Sequence, residues 1–356
     1  MDKSKRATLK SIADRVGVSV TTVSRVLNNQ STRYRISKKT EETIRQVAEE
    51  LHYIPNQLAR GLRLKQTHTI GLVIPDVSNP FFASIAHCVE IEARKAGYSI
   101  MFCDSQEDTQ VEIDSLRLLQ NRKVDGIIIC PVGKDVKYLE RLHNNGMPLV
   151  VVDRYFPELK CPYVVSDNYN GAVEAINYLI ENGHQTIACI QGIPHTSVNN
   201  DRIRGYKHAH EIHNIPLDES LIAGDDFGET NGYVAAKLLL HRIPRPSAIF
   251  AVSNLISLGA LRAISEEGLN IPEDISIISF DDQPYSKYLS TPMTTVTQQK
   301  TEMGHIAFKL LLEQIESNTH FDNKGVILPT KLIIRNSVKK LAQVSIEKQV
   351  SIEKEE

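Results

Sequence analysis

The chain has 356 residues, with 41 Lys or Arg, 43 Asp or Glu and a formal charge of −2 at pH 7. Hydrophobic residues make up 41% and charged residues 24%, so the composition indicates a folded globular chain of two or three domains and excludes a disordered polymer. Taken as a whole, a chain so close to neutrality does not have the charge of a nucleic-acid-binding protein.

The charge is, however, unevenly distributed along the chain. Residues 1–65 contain 14 Lys or Arg and 6 Asp or Glu, a net charge of +8. Residues 66–356 hold the other 27 basic and 37 acidic residues, a net charge of −10. A basic N-terminal segment of this size indicates a part of the chain that binds an anionic partner such as DNA.

Several classes of protein and site are excluded. No apolar run approaches the roughly 18 residues that cross a bilayer, and no apolar region of a secretory signal follows the basic N-terminus. Five cysteines without a Cys-x-x-Cys pair favour reduced thiols over disulfides or zinc. Dinucleotide, phosphate-loop, zinc-protease and serine-hydrolase motifs are absent from the sequence, and the neighbours His208 and His210 point to different sides of a predicted helix. We therefore expect a cytoplasmic protein without catalytic residues, cofactor or metal.

The basic segment shows three short helical patterns. Gly17 marks a turn between the first two, Ser19 is a natural N-cap of the second, and Ser37 caps the third after a polar, Arg-rich loop. The apolar positions of the three helices are Leu9, Ile12, Ala13 and Val16; Val23, Val26 and Leu27; and Ile44, Val47, Ala48 and Leu51. The spacing predicts a helix–turn–helix unit.

The second of these helices has the composition of a helix that enters the major groove of DNA. Short polar side chains near its N-terminus would lie within reach of base edges. Val20 and Thr21 are placed to touch bases, with Val20 suited to a thymine methyl group, and Arg25 can bond guanine or phosphate. The side chains that can bond phosphate oxygens are those of Thr22, Ser24 and Asn28. A Ser/Thr-rich surface helix would not by itself explain the charge of +8.

From Thr69 onward, short β-branched runs alternate with amphipathic helices. The predicted strands are 69–74, 99–103, 126–130, 149–152, 163–166, 186–190, 248–252 and 276–280. This rhythm predicts an α/β fold of parallel, doubly wound sheets, and the strands are too many for one sheet of usual size. We therefore expect two lobes, which share a last helix near 301–316 and strands near Val326 and Lys331.

These patterns suggest boundaries along the chain. We place a headpiece at 1–54, a hinge at 55–66, a core at 67–338 and a solvated tail at 339–356. Within the core, the expected N-lobe comprises about 67–162 and 295–325, and the expected C-lobe comprises about 163–294 and 326–338.

Several segments resemble the lactose-repressor (LacI/GalR) family of bacterial transcription regulators, in the order in which that family carries them. Residues 8–28 resemble its DNA-binding headpiece, 53–62 its hinge helix and 70–82 the start of its effector-binding core. Further matches are Val124–Ile127, Val150–Arg154, Gly183–His184, Arg202–Tyr206 and Ser279–Asp282. The resemblance covers about residues 8–336 and implies a helix–turn–helix headpiece on a two-lobed, periplasmic-binding-protein-like core.

The resemblance implies a set of DNA-contacting residues. They are Thr8, Ser19, Val20, Thr21, Thr22, Ser24, Arg25, Asn28, Asn56, Ala59, Arg60 and Leu62. Leu62 matches the hinge leucine that inserts into a base step of the minor groove. The energy cost of unstacking those bases is offset because the bent DNA contacts more of the protein. Ala59 would pack where two hinge helices meet, while Asn56 and Arg60 would contact the DNA backbone. The alternative for Leu62 is a linker leucine that covers the core.

The resemblance also implies an effector site between the lobes. Its residues are Phe81, Phe82, Asp153, Arg202, Asn254, Asp281 and Gln298. Aromatic rings can stack on a sugar face or a base, aspartates accept hydrogen bonds from hydroxyl pairs, and the Arg202 guanidinium can fork onto hydroxyls or a carboxylate. These residues fall at the carboxyl ends of predicted strands, where α/β sheets bind ligands, although each could instead be a solvated or capping residue.

Two features depart from the family pattern. The loop Asn29–Ile36 is longer than usual and carries Arg33, Tyr34 and Arg35, so it either adds phosphate contacts or is a tolerated insertion. Leu255 follows Asn254 at a position where the family often has Asp, which weakens the assignment of Asn254.

We expect a sequence-specific transcriptional repressor. It would be a nucleoid-associated homodimer that binds a pseudo-palindromic operator on double-stranded DNA, with an affinity controlled by a small-molecule effector, a sugar or related metabolite. The alternatives are an activator of the same family, a soluble sugar-binding α/β protein without specific DNA binding, and a nonspecific architectural DNA binder. The sequence does not distinguish a hexose, a pentose, a uronate or a nucleoside as the effector.

Overall fold

The computed structural model describes residues 7–53, 66–133, 136–317 and 324–341, and the chain divides into two compact units, residues 1–67 and 68–356. The hinge positions Asn56, Ala59, Arg60 and Leu62 lie outside the described residues. None of the described helices is both long and apolar enough to cross a membrane.

The described residues of the first unit form three helices, α1 (Leu9–Val16), α2 (Val20–Leu27) and α3 (Lys38–Glu50). Gly17 ends α1 with φ 76°, a left-handed conformation that a residue without Cβ adopts at little cost, and this lets the chain turn into α2. The predicted apolar faces meet in the centre, where Ile12, Val23, Val26 and Ile44 are fully buried. The helix–turn–helix prediction is confirmed.

In the part of the chain that the structure describes, the second unit forms two six-stranded sheets. In order across the first sheet, the strands are β11 (Gly325–Leu328), β5 (Tyr163–Ser166), β4 (Leu149–Val152), β3 (Gly126–Ile129), β1 (Thr69–Ile74) and β2 (Ser99–Asp104). In order across the second sheet, they are β12 (Lys331–Ile333), β10 (Thr294–Thr297), β9 (Ser276–Phe280), β8 (Ala248–Ala251), β6 (Ile187–Ile190) and β7 (Ile222–Ala223). All pairs are parallel except β10 with β12.

Helices cover both sheets and complete the two lobes. The first lobe carries α4 (Pro80–Lys95), α5 (Thr109–Asn121), α6 (Lys137–Asn144) and α11 (Lys300–Ser317). The second lobe carries α7 (Asn168–Glu181), α8 (Ser197–Ile212), α9 (Glu229–Leu240) and α10 (Asn254–Glu266). Because helices lie on the sheet faces, central strands such as β3, β4 and β8 are buried along their whole length, as their apolar sequences predict. The predicted two-lobed α/β class is confirmed.

The strand pairing corrects the expected lobe boundaries. Tyr163–Ser166 was expected in the C-lobe but pairs with β4 and with Gly325–Leu328, so both strands belong to the first sheet. Thr294–Thr297 pairs with β9 and therefore belongs to the second sheet, whereas the expected N-lobe began its second part at 295. Periodicity identifies a strand, but only hydrogen bonding to a neighbour shows which sheet it joins.

The structure also adds elements that the strand and helix patterns do not reveal. Helix α9 is apolar around most of its circumference, strand β7 has two residues, and Thr294–Thr297 reads Thr-Thr-Val-Thr. None of these segments has the strict period of an amphipathic element.

The expected start of the solvated tail at 339 is wrong by at least three residues. Lys339 donates its backbone N–H to Ser276 Oγ at 2.9 Å, and Leu341 donates its own to the Asn182 carbonyl at 2.8 Å. His184, 1% exposed, places Nε2 3.0 Å from the Lys339 carbonyl. These polar groups need partners once they leave water, so the chain stays on the second lobe through Leu341. Residues 342–356 lie outside the described part.

Candidate functional site

The first turn of α2 forms an exposed polar surface on the helical unit. Val23 and Val26 point into the core, so the opposite face of the same short helix points outward. Val20 is 42% exposed, and Ser19 and Thr21 are exposed beside it. Ser19 Oγ accepts the N–H of Thr22 at 3.0 Å, which caps the helix and fixes where this surface begins.

Arg25 lies one turn further along α2 and carries an aromatic partner that the sequence patterns do not identify. Its guanidinium carbon lies 3.8 Å from the ring centroid of Tyr34, which comes from the long loop after α2. The loop is fixed to the helices, because Gln30 donates its N–H to the Arg25 carbonyl at 2.9 Å and Arg45 Nη2 donates to Asn29 Oδ1 at 2.8 Å. The inserted loop therefore orders an aromatic ring against Arg25.

Other polar residues assigned to DNA contact have local partners. Thr22 Oγ1 lies 2.8 Å from Ser19 Oγ, and Asn28 Nδ2 donates to the Ser24 carbonyl at 2.6 Å at the end of α2. Thr8 caps α1 and exchanges hydrogen bonds with Ser11. A phosphate contact by Thr22 or Asn28 would add to these bonds or replace them.

A cavity of about 360 Å³ lies between the two lobes of the α/β unit. It opens beyond the carboxyl ends of β1, β2, β4, β8 and β9, the edge at which parallel sheets bind ligands. All seven residues assigned to the effector site line it: Phe81, Phe82, Asp153, Arg202, Asn254, Asp281 and Gln298. The structure thus brings together side chains that lie up to 217 positions apart.

Two aspartates of the cavity have strained backbones. Asp153 follows β4 with φ 66°, and Asp281 follows β9 with φ 74°, both in the left-handed region that non-glycine residues rarely adopt. Such strain is often found where a side chain is held for binding. Asp281 Oδ1 accepts a hydrogen bond from Gln298 Nε2. Burial raises the pKa of Asp153 to about 6, although the nearby Arg154 and Arg202 charges oppose the rise.

The guanidinium of Arg202 is largely occupied by the protein itself. Nε donates to Asn168 Oδ1 at 2.9 Å, and Nη1 donates to the Val252 carbonyl at 2.5 Å. The group also lies 3.7 Å above the Phe280 ring centroid. Within the described residues only Nη2 lacks a protein partner, so one of the two nitrogens of the expected fork onto a ligand is already used by the protein.

Hydrogen bonds join the two lobes beside the cavity. Asn254 Nδ2 donates to Asn79 Oδ1 at 3.0 Å, and the Tyr155 N–H donates to Ser197 Oγ at 3.0 Å. The oxygens Asn254 Oδ1 and Gln298 Oε1 are buried with no partner among the described residues. A buried acceptor without a donor is unfavourable, so both oxygens favour a ligand that donates hydrogen bonds.

The cavity is also lined by residues that neither the sequence patterns nor the family resemblance identifies. They are Asp76, Asn79, Asp104, Glu107, Arg154, Asp226 and Phe227, among others. Asp104 ends β2 and Arg154 follows Asp153, so the rule on strand ends could have identified both. Glu107 and Asp226 lie in loops without such a signal.

The three histidines of α8 and its end do not converge. Nδ1 of His208 lies 3.3 Å from Glu211, Nδ1 of His210 lies 2.8 Å from the Tyr206 carbonyl, and Nε2 of His213 lies 3.1 Å from Asn177 Oδ1. Across the described residues, no group of three His, Cys, Asp or Glu side chains could hold a metal ion.

Comparison with known proteins covers both units. A family model described as "Bacterial regulatory proteins, lacI family" matches residues 8–56, and one described as "Periplasmic binding protein-like domain" matches residues 176–338. The chain is 34% identical over 339 residues to the HTH-type transcriptional regulator DegA of Bacillus subtilis (strain 168), which covers 94% of this chain and 99% of DegA.

Two solved structures show the same likeness. The lac repressor dimer bound to operator and the anti-inducer ONPF has a TM-score of 0.83 at 26% identity, and the match covers 94% of this chain and 100% of that one. The complex of the transcriptional regulator CelR with cellobiose has a TM-score of 0.71 at 31% identity and covers 93% and 100%.

Proposed function

The chain belongs to the lacI family of bacterial regulatory proteins, and from this premise we propose that it is a repressor that binds a pseudo-palindromic operator as a homodimer. Membership makes it a DNA-binding transcriptional regulator and not an enzyme. One observation supports the proposal above all: the same chain has an exposed recognition-helix surface and a ligand-sized cavity between two lobes. Such a protein would act in the cytoplasm, on the nucleoid.

DNA contact is assigned to the headpiece and hinge residues named in the sequence analysis. Val20 and Thr21 would contact base edges because they are exposed in the first turn of α2, and Arg25, in its last turn, has a side chain long enough to reach them. The charge of +8 over residues 1–65 supports this assignment and predicts binding that weakens steeply as salt concentration rises. Leu62 would enter the minor groove between two base pairs.

Exposed apolar side chains on the second lobe support the homodimer. Val234 is 59% and Leu238 is 66% exposed on α9, and Leu258 is 38% exposed on α10. Apolar side chains clustered on adjacent helices favour a protein partner. The lac repressor relative was solved as a dimer on its operator, and a two-fold axis would present two recognition helices to two half-sites.

We assign the seven cavity residues to binding of a sugar or related metabolite. Phe81 and Phe82 offer aromatic surface, the aspartates accept hydroxyl donors, and the cavity volume is within the range of small-molecule sites. The CelR relative was solved with cellobiose. A ligand that prefers one arrangement of the lobes would shift the population of protein able to bind the operator.

The test uses the full chain, its operator selected from random duplexes, and a panel of small metabolites. Arg25→Ala should lower operator affinity and selectivity while the response of thermal stability to the effector is retained. Asp281→Ala or Arg202→Ala should abolish the effector response and leave operator binding largely intact. Protection of discrete palindromic sites supports the proposal. Diffuse protection would contradict it. So would a protein whose selective DNA binding is unchanged after deletion of residues 1–65.

A further inference from the structure

The cavity between the lobes carries more negative than positive side chains. Its two guanidinium groups belong to Arg154 and Arg202, and its six carboxylates belong to Asp76, Asp104, Glu107, Asp153, Asp226 and Asp281. A ligand that brings a further negative charge into such a cavity needs a guanidinium group that is not already occupied.

Both terminal nitrogens of Arg154 are already paired with Glu107, and among the described residues only its Nε is buried without a partner. Nη1 donates to Oε2 of Glu107 at 2.7 Å, and Nη2 donates to Oε1 at 2.5 Å. The Arg154 side chain is 6% exposed, and its Nη1 also lies 3.4 Å from the Pro131 carbonyl. This bidentate pair uses the same fork that a carboxylate or phosphate ligand would use.

The backbone holds Glu107 in this position independently of the ion pair. Gln106 and Glu107 both have φ 54°, the left-handed region. Gln106 donates its N–H to Asp104 Oδ1 at 3.1 Å, and Glu107 donates its N–H to the Pro75 carbonyl at 3.1 Å. Two successive strained residues persist only where the surrounding structure fixes them, so the loop fixes the Glu107 backbone from which the side chain reaches Arg154.

The other guanidinium is no better placed to bind an anion. Arg202 is committed to Asn168, to the Val252 carbonyl and to the Phe280 ring. Burial lowers its pKa, and the charges of Asp281 and Asp153 oppose that fall. Its remaining terminal nitrogen, Nη2, belongs to a cavity lining that holds six carboxylates and two guanidinium groups.

We propose that Glu107 determines the charge of the effector: by occupying Arg154 it makes the cavity select a hydroxyl-rich ligand without a negative charge and reject uronates and sugar phosphates. This inference rests on the proposed function, since it takes the interlobe cavity as the effector site. The inference distinguishes uronates from neutral hexoses and pentoses, which the sequence alone does not distinguish.

The first measurement needs no variant. Glucose, galactose and ribose are compared by calorimetry and thermal shift with glucuronate, galacturonate, glucose 6-phosphate and ribose 5-phosphate on the full chain in chloride buffer. We expect no measurable binding of any acid or phosphate. An acid or phosphate that binds as tightly as its neutral counterpart would overturn the proposal.

The second measurement uses Glu107→Gln, which removes the negative charge and leaves one acceptor oxygen, so that at most one of the two hydrogen bonds of the Arg154 fork remains. Glucuronate and inorganic phosphate should bind this variant at least about tenfold more tightly than the wild type. Asp226→Asn is the matched control, because it removes one negative charge from the same lining and leaves the Glu107–Arg154 pair intact; it should gain less than about threefold. The double variant Glu107→Gln with Arg154→Gln should lose the gain.

Equal gains in Glu107→Gln and Asp226→Asn would mean that net charge, and not release of Arg154, controls anion binding, and would overturn the role of Glu107.

Operator binding distinguishes failure of the charge inference from failure of the proposed function. A sugar acid that releases wild-type protein from its operator refutes the charge inference alone. Neutral ligands that bind the cavity without changing operator affinity refute effector control and leave the charge selectivity standing.

Discussion

Tyr34 shows how a residue of an inserted loop can act on DNA recognition through another residue. A guanidinium 3.8 Å above an aromatic ring is attracted by the π-electrons, and the ring limits the conformations that Arg25 can adopt before DNA binds. At an exposed site such a contact contributes about 0.5–1 kcal/mol. Of the two alternatives for the loop, this contact favours a role in binding over a neutral insertion.

Tyr34→Ala should therefore weaken operator binding by about two- to fivefold, the equivalent of that contact energy. The loss should be larger on the operator than on unrelated DNA, because Arg25 is placed to contact bases. Tyr34→Phe keeps the ring and should bind as the wild type does. The measurement is a titration of both duplexes by fluorescence anisotropy at fixed salt. An equal loss on both would indicate a phosphate contact by the loop instead.

Asp153 shows how burial makes a residue sensitive to pH. Its pKa in the folded chain is raised to about 6, mainly by burial, with Arg154, Arg202, Asp281 and Cys130 around it. Because the folded pKa lies above the unfolded value of about 4, the folded state holds the proton more tightly in this interval. The stability that this provides is fully present below pH 4 and is lost as the pH rises through 6.

The unfolding free energy of the wild type, measured relative to Asp153→Asn, should accordingly fall by about 2 kcal/mol between pH 4.5 and 7. Urea denaturation of both proteins at the two pH values measures this difference. Parallel pH dependences of wild type and variant would show that the Asp153 carboxyl does not titrate in this range.

At the scale of elements, helices α9 and α10 pack with their backbones in direct contact. A Cβ added at Gly259 would lie 2.0 Å from the Glu229 carbonyl oxygen and 2.5 Å from the Tyr233 backbone nitrogen. A Cβ added at Gly232 would lie 2.1 Å from the Ile256 carbonyl oxygen. Since backbone atoms cannot move aside as flexible side chains do, these two glycines set the distance between the helices.

Gly259→Ala should force α9 and α10 apart and lower the unfolding free energy by about 1–3 kcal/mol or more. Thermal denaturation followed by circular dichroism measures the loss. Ser265→Ala, at an exposed position on the same helix, is the control and should change stability by less than about 0.5 kcal/mol. A Gly259→Ala variant as stable as this control would mean that the helices can separate freely.

At the scale of the whole molecule, the charge of −2 is the sum of a segment of +8 and a remainder of −10. Phosphate attracts the first and repels the second, so the charge pattern directs the headpiece, and not the acidic remainder, to DNA. Two copies of the acidic part repel each other, so subunits need an uncharged surface on which to associate. The exposed apolar side chains of α9 and α10 provide one.

Leu238→Asp, which puts a charge at the most exposed of the three apolar positions named on these helices, should weaken the proposed dimer. Sedimentation velocity should show a shift from dimer to monomer, with operator affinity falling at low protein concentration, because one headpiece alone reads only one half-site. Ile212→Asp, at a position 50% exposed on α8, is the matched control. An unchanged dimer in the Leu238 variant would place the interface elsewhere.

The sequence by itself determined the helix–turn–helix unit and the two-lobed α/β class, because burial imposes a period on helices and strands. The seven residues that line the cavity were implied by the family resemblance, and they are consistent with the rule that parallel sheets bind ligands at the carboxyl ends of their strands. The neighbouring sequence is enough to predict the structural role of Gly17, of the caps Ser19 and Ser37 and of buried runs such as Leu149–Val152.

Only the tertiary structure decided which sheet Tyr163–Ser166 and Thr294–Thr297 join, where Lys339 packs, and which groups occupy the two arginines of the cavity. Glu107 and Arg154 are 47 positions apart, and the sequence around each gives no sign of the other. Strand order and ion pairing depend on distances across the folded chain, whereas local sequence reports only the distances along it.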